Sequence, residues 1–169
     1  MSSPTDEHKA DAPTSIPCAV VTVSDTRTLE TDIGGKLVAD LLSAAGHVVV
    51  AREIIPDDPQ RMTPLLESWR DGEQVAAVLM TGGTGITSRD QTYETVTQLI
   101  TRPLPGYGEL FRMLSYEQIG PAAMLSRATA GLMGQTVLLT MPGSPKAVAL
   151  AMEKVILPEL CHLAREAAR

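Results

Sequence analysis

Cysteine is almost absent from this chain of 169 residues: Cys18 and Cys161 stand far apart and form no Cys-x-x-Cys. Their scarcity argues against a disulfide framework or a structural zinc site and predicts two buried thiols. Also missing is any apolar run long enough to span a bilayer. Residues 1–15 lack the basic start and apolar stretch of a secretory signal; they are polar, hold two prolines and are expected to form a disordered tail. A cytoplasmic location without a membrane partner is the resulting expectation. Positive charge is in short supply too. With 14 Lys and Arg against 20 Asp and Glu, the net charge of −6 disfavours nonspecific binding to DNA, RNA or an anionic membrane, and no nucleic-acid partner is expected. The three histidines are His8 in the tail, His47 at the start of a strand and His162 near the C-terminus. Their positions suggest no Ser-His-Asp or Cys-His arrangement.

What remains is ordinary globular sequence, 44% hydrophobic and of a length that suits one domain, residues 16–169. Short apolar runs alternate with helix-period segments, the pattern of an α/β fold with a mostly parallel sheet. Residues 18–23 read as a strand. On the next helix Ile33, Leu37, Val38, Leu41, Leu42 and Ala45 fall on one face, with Asp32 as N-cap and Gly46 as stop. A strand over 47–55 ends at Pro56-Asp57-Asp58-Pro59. A helix carrying Met62, Leu65, Leu66 and Trp69 follows, stopping near Gly72, with Pro64 either kinking it or starting it. A third strand spans 75–80, and a short helix begins near Thr92. Beyond it the pattern predicts a loop over 102–108, helices over 109–118 and 122–127, and a hairpin of 128–133 with 135–141 broken at Gly134. Ser144 and Pro145 suit the N-cap and first position of a helix reaching about Ile156, and Pro158 opens a last helical segment.

The third strand leads into Thr81-Gly82-Gly83-Thr84-Gly85. Glycine lets backbone N–H groups approach an anion closely and takes positive φ readily, so the loop reads either as a phosphate cradle or as an ordinary strand-to-helix turn. Two familiar nucleotide loops are excluded. Gly85 is followed by Ile86-Thr87-Ser88, not by the lysine of a Walker A loop. The dinucleotide fingerprint fails because Thr87 or Ser88 stands where its last glycine belongs.

Four polar clusters each follow a predicted strand: Ser24-Asp25-Thr26-Arg27, Pro56-Asp57-Asp58, the glycine loop with Arg89-Asp90, and Pro142-Gly143-Ser144-Pro145-Lys146. If those strands are parallel, the clusters converge outside their carboxyl ends, where open α/β sheets bind ligands. Each has a plain alternative. Asp57 could cap its own turn, Asp58 sits before Pro59 as an N-cap does, and Ser144 with Lys146 could be an ordinary helix start with a solvated lysine. Asp57 and Asp90 flanking one phosphate would repel it and each other unless a divalent cation lay between them, and Mg2+ suits oxygen ligands. Arg112 and Arg127 could add positive charge or be surface residues. Phe111, Met113 and Leu114 read as core.

Val23-Ser24-Asp25-Thr26-Arg27, Ile55-Pro56-Asp57, Thr81 to Gly85 with Arg89-Asp90, Gly106 to Arg112, Ser126 to Gly131 and Met141 to Ser144 together resemble, in order, the MoaB/Mog family of molybdenum cofactor biosynthesis, over about residues 16–160. The Gly-Glu-Leu-Phe-Arg stretch is more similar to the MoaB branch. The resemblance implies a three-layer α/β/α domain with a C-terminal hairpin. It would bind molybdopterin and adenylylate it with Mg-ATP, releasing pyrophosphate. It implies catalytic, metal-holding roles for Asp57 and Asp90. Substrate contacts would come from Ser24, Asp25, Thr81, Gly82, Gly83, Thr84, Gly85, Glu109, Arg127, Pro142, Gly143, Ser144 and Lys146. A homo-trimer or homo-hexamer, in contact with other proteins of the pathway, is also implied. Three rivals remain at this stage: a non-catalytic molybdopterin carrier, a nucleotide-pyrophosphate hydrolase of the CinA type, and a purely structural oligomer.

Overall fold

The computed structural model describes residues 13–70 and 74–169. The expected tail therefore falls largely outside the described residues, as does the helix stop at Gly72. In chain order the elements are β1 (Pro17–Val23), α1 (Ile33–Ala44), β2 (Val48–Ile55), α2 (Pro59–Glu67), β3 (Ala77–Thr81), α3 (Thr92–Leu99), β4 (Arg102–Pro103) and α4 (Pro105–Ile119). A 3₁₀ segment, Gly120–Leu125, follows, then β5 (Ala130–Met133), β6 (Thr136–Met141), α5 (Pro145–Ala151), one π-helical turn (Met152–Ile156) and α6 (Leu160–Ala167).

The six strands form one sheet in the order β2-β1-β3-β6-β5-β4. Pairings β1–β2, β1–β3 and β3–β6 are parallel, while β5–β6 and β4–β5 are antiparallel. The central strands send alternate side chains to opposite faces, as a period of two requires. Cys18 and Val20 of β1, Leu79 of β3 and Leu139 of β6 join a core with α1, α4, α5 and α6. Ala19 and Val21 of β1, with Val78 and Met80 of β3, join a second core with Met62 and Leu66 of α2 and Val96 of α3. Every residue of β3 and β6 is buried, as expected when helices cover both faces of parallel strands. The fold is three-layered, and the hairpin β5–β6 supplies its central strand β6.

Local signals account for most element ends. Asp32 caps α1 by accepting a hydrogen bond from Gly35 N (2.9 Å), and Gly46, at φ 88°, stops it. Asp58 caps α2 through Gln60 N (2.9 Å), with Pro59 in the first position. Ser144 caps α5 and Pro145 follows it.

Several details differ from expectation. Of the two readings of Pro64, the structure excludes the start of α2: the proline sits inside the helix on its exposed side. Ile33 is 61% exposed, since α1 buries Gly34, Gly35, Val38 and Leu42 instead. The stretch expected as a loop over 102–108 is β4 plus the first turn of α4, because Pro105 is suited to a first helical position and Thr101 and Leu104 pair with the hairpin. Residues 122–127 are not an α-helix; the 3₁₀ segment ends at Leu125 and an extended stretch follows. Met113 is exposed, not core, while Phe111 is fully buried. Cys18 is fully buried, its thiol pushed up to about 12 by burial and then by Cys161, but Cys161 is only half-buried. Among the described residues, no helix is long and apolar enough to cross a membrane.

Candidate functional site

β1, β2, β3 and β6 run parallel, so the four polar clusters after them emerge at one edge of the sheet. Hydrogen bonds stitch the loops together there. Gly82 N donates to Met141 O (3.0 Å) and Thr81 Oγ1 to Pro142 O (3.1 Å), joining the glycine loop to the turn after β6. Asp57 N donates to Asp25 Oδ1 (3.3 Å), joining the turns after β2 and β1. Ser24 Oγ accepts from Thr26 N and Arg27 N and closes the β1 turn.

Glycine is required at two positions of the loop. Gly82 has φ 102°, and a Cβ there would run into Val23 O. Gly83 has φ 64°, and its Cβ would strike Thr92 Oγ1 and lie 2.5 Å from Asp57 Oδ2. No L side chain combines that backbone with that crowding. The loop thus bends back over the end of β1 and presses against Asp57.

The two aspartates come together around this loop, each with one oxygen tied and one untied. Asp57 Oδ1 accepts from Gln91 N (3.1 Å) and weakly from Thr92 Oγ1 (3.4 Å). Asp90 Oδ2 accepts from Thr87 N (2.9 Å) and Thr87 Oγ1 (2.6 Å). Neither Asp57 Oδ2 nor Asp90 Oδ1 has a hydrogen bond among the described residues. Burial raises the Asp57 carboxyl above its usual range; the nearby Asp90 and Asp25 charges add to this, against the opposing bonds from Gln91 and Thr92. Asp25 is itself paired with Arg89. Among the described residues no three His, Cys, Asp or Glu groups are placed to cage a metal. A site with two free carboxylate oxygens instead suits Mg2+, which keeps waters and phosphate oxygens as its other ligands.

Two cavities open side by side. One, about 480 Å³, is lined by Gly82 to Gly85, Asp90, Phe111, Ser115, Ser126 and Pro142 to Ser144. Its neighbour, about 380 Å³, is lined by Thr22, Ser24, Arg27, Asp32, Gly34, Thr81 and Gly82, and shares Gly143 and Ser144. A larger groove of about 670 Å³ runs between α4 and α5, past Lys146 and Lys154, and adjoins the first cavity at Ser115, Ile119, Ser144 and Ala147. The shared wall lets two ligands meet at Gly82, Gly143 and Ser144.

Of the residues singled out from sequence, Ser24, Thr81 to Gly85, Asp90 and Pro142 to Ser144 line these two cavities, with Asp57 and Asp25 beside them. Lys146 is exposed and faces the α4–α5 groove, and Glu109 is exposed on α4 outside both linings. Arg127 points inward, donating from Nε to Gly85 O (2.7 Å) and from its terminal nitrogens to Asp90 O (3.0 Å) and Glu94. Arg112 bonds the carbonyls of Ser126 and Ala128, a structural tie.

Sequence reasoning missed one network outright. Asp32, 1% exposed, accepts from Thr22 Oγ1 (2.8 Å) and Arg52 (2.9 Å) as well as from Gly35 N. Burial pushes its carboxyl up, but those bonds and the Arg52 charge outweigh it and hold it below its usual range. The available signal was Arg52 itself, one basic residue inside the apolar run of β2.

Comparison with known proteins shows the family and the fold. A family described as "probable molybdopterin binding domain" matches residues 19–162. The chain is 52% identical over 161 residues to molybdenum cofactor biosynthesis protein B of Bacillus subtilis, covering 95% of each. A crystal structure of a molybdenum cofactor biosynthesis protein B superposes with a TM-score of 0.88 at 50% identity, over 93% of this chain and 98% of that one. The tungsten cofactor synthesizing protein MoaB of Pyrococcus furiosus superposes with a TM-score of 0.79 at 37% identity, over 94% and 100%.

Proposed function

From its membership of the molybdopterin-binding family, to which this chain belongs as a molybdenum cofactor biosynthesis protein of MoaB type, we propose that it joins molybdopterin to AMP. The substrates are molybdopterin and Mg-ATP; the products are adenylylated molybdopterin and pyrophosphate. The observation that carries this reading is the pair Asp57 and Asp90, each keeping a free carboxylate oxygen beside a closely packed glycine loop where two cavities share a wall.

The chemistry needs little from the protein beyond placement and charge control. A phosphate monoester is largely dianionic near neutral pH, so the terminal phosphate of molybdopterin attacks the α-phosphorus of ATP without a strong general base. A phosphoanhydride bond forms as the bond to the β-phosphate breaks, and pyrophosphate leaves with that electron pair. Loop amides from Gly83 to Gly85 would face phosphate oxygens, Gly82 N being committed to Met141 O, and the helix start at Ser144 would offer the Lys146 N–H to the second anion, since Pro145 has none and Ala147 N is bonded to Ser144 Oγ. Asp57 and Asp90 would hold Mg2+, which supplies neutralisation between carboxylates and triphosphate. The exposed apolar row Met113, Tyr116, Ile119 and Met124 supports self-association as a trimer or hexamer, which sedimentation equilibrium would test.

Incubating the protein with molybdopterin, ATP and Mg2+ tests the main reading. Pyrophosphate and an adenylylated pterin are the expected products, and Asp90→Asn is expected to slow the formation of both severely, to a small residual rate, while the protein stays folded. Tight molybdopterin binding without pyrophosphate from the wild type would replace this reading with that of a carrier. Full turnover by Asp90→Asn would remove the metal role.

A further inference from the structure

We propose that Arg127 is a positioning residue, a clamp that holds both ends of the segment from Gly85 to Asp90 and thereby fixes the Asp90 carboxylate; the kinetic part rests on the adenylylation reading above. Its guanidinium donates to Gly85 O (2.7 Å) at one end of the segment and to Asp90 O (3.0 Å) at the other. A third nitrogen pairs with Glu94 on α3, and the guanidinium carbon lies 5.1 Å from the centre of the Tyr93 ring. Arg127 N also donates to Thr84 O (2.9 Å). One residue therefore bridges the extended stretch before β5, the glycine loop and the start of α3.

Apart from Arg127, the segment is tied down by the exposed pair of Arg89 with Asp25 and by Gln91 Nε2 donating to Ser88 O (2.9 Å). Residues 86–89 are exposed, Ile86 at 64%. Within the segment, Asp90 Oδ2 ties back to Thr87 N and Thr87 Oγ1, and Asp90 N donates to Thr87 O (3.1 Å). That ring is local and can move as a unit. Arg127 anchors it to the sheet through carbonyls at both ends. A planar fork with fixed donor directions does this; the single ammonium of lysine cannot reach two carbonyls and a carboxylate together. Three of the five N–H donors of Arg127 are committed, one on each nitrogen, and they fix its guanidinium against the segment. The residue acts through Asp90.

Two measurements on Arg127→Lys test this, with Arg127→Gln as the second variant should the first fail to fold. The first is amide hydrogen exchange of the ligand-free protein. Thr87 N–H is expected to exchange at least about 10-fold faster in the variant, with β3 and β6 amides unchanged, because the bond to Asp90 then belongs to an unanchored segment. Unchanged exchange at Thr87 overturns the clamp. The second is a double-mutant cycle on pyrophosphate release at pre-steady state. Arg127→Lys is expected to lower kcat by about 10- to 100-fold in the wild-type background, with KM changed far less, but by less than about threefold in the Asp90→Asn background, read from its residual rate. Equal losses in the two backgrounds refute action through Asp90. Should the wild type release no pyrophosphate, adenylylation fails and the exchange experiment still decides the clamp.

Discussion

Replacing Gly83 by alanine probes whether the glycine loop has its shape for the stated reason. Three contributions set the size of the effect. Holding an L residue at φ 64° costs about 1–2 kcal/mol. Stiffening the unfolded chain returns about 0.4–1 kcal/mol. The new methyl meets Thr92 Oγ1 and Asp57 Oδ2, so both must shift. The bonds from Gln91 N and Thr92 Oγ1 to Asp57 Oδ1 then weaken, at about 0.5–1.5 kcal/mol each. The net is a loss of about 1–5 kcal/mol, or about 2–20 °C in Tm for a chain of this size. Gly106 is the control. It lies in the first turn of α4 at negative φ, and a Cβ there meets nothing within 4 Å, so Gly106→Ala should stabilise by about 0.5–1 kcal/mol. Calorimetric scans of the two variants beside the wild type are the assay. If Gly83→Ala melts with the wild type, the crowding between loop and Asp57 is not what shapes this site.

Asp32→Ala removes both a helix cap and the partner of a largely buried arginine, and should destabilise by about 3–5 kcal/mol in urea titration. The folded state holds the Asp32 carboxyl below its ordinary value of 3.8. Its contribution is therefore present above pH 3.8 and lost as pH falls through the depressed value, so the gap between Asp32→Asn and wild type should narrow in acid. Asp57 has the opposite sign: burial, with Asp90 and Asp25, raises its carboxyl above 3.8. Asp57 favours the fold fully only below pH 3.8, and that contribution is lost as pH rises through the raised value. Asp57→Asn should thus raise the Tm of the ligand-free protein at pH 7 and have no such effect below pH 3.8. A lower Tm at pH 7 would show that the lost acceptor strength outweighs the relieved repulsion.

Strands β1, β2, β3, β5 and β6, the caps Asp32, Asp58 and Ser144 and the hairpin broken at Gly134 were legible because each depends on residues within a few positions of itself. The convergence of four loops was also legible, given parallel strands. β4 was not, since two residues become a strand only when β5 lies beside them. Nor was the inward turn of Arg127, whose partners are Gly85, Asp90 and Glu94, between 33 and 42 positions away. The Arg52 tie to Asp32 spans 20 positions and crosses from β2 to the start of α1.

Sequence alone determined where the chain turns and which residue types could serve an anion, because glycine, proline and capping aspartates act through their own backbone torsions and nearest neighbours. It could not decide which charges are spent on holding the structure and which are left for a ligand. That depends on distances between segments remote in the chain. Asp25 is spent on Arg89, Asp32 on Arg52 and Arg127 on the loop carbonyls. Asp57 and Asp90 each keep one oxygen free, and only packing of the sheet edge brings the two carboxylates near enough for the charge of Asp90 to act on Asp57.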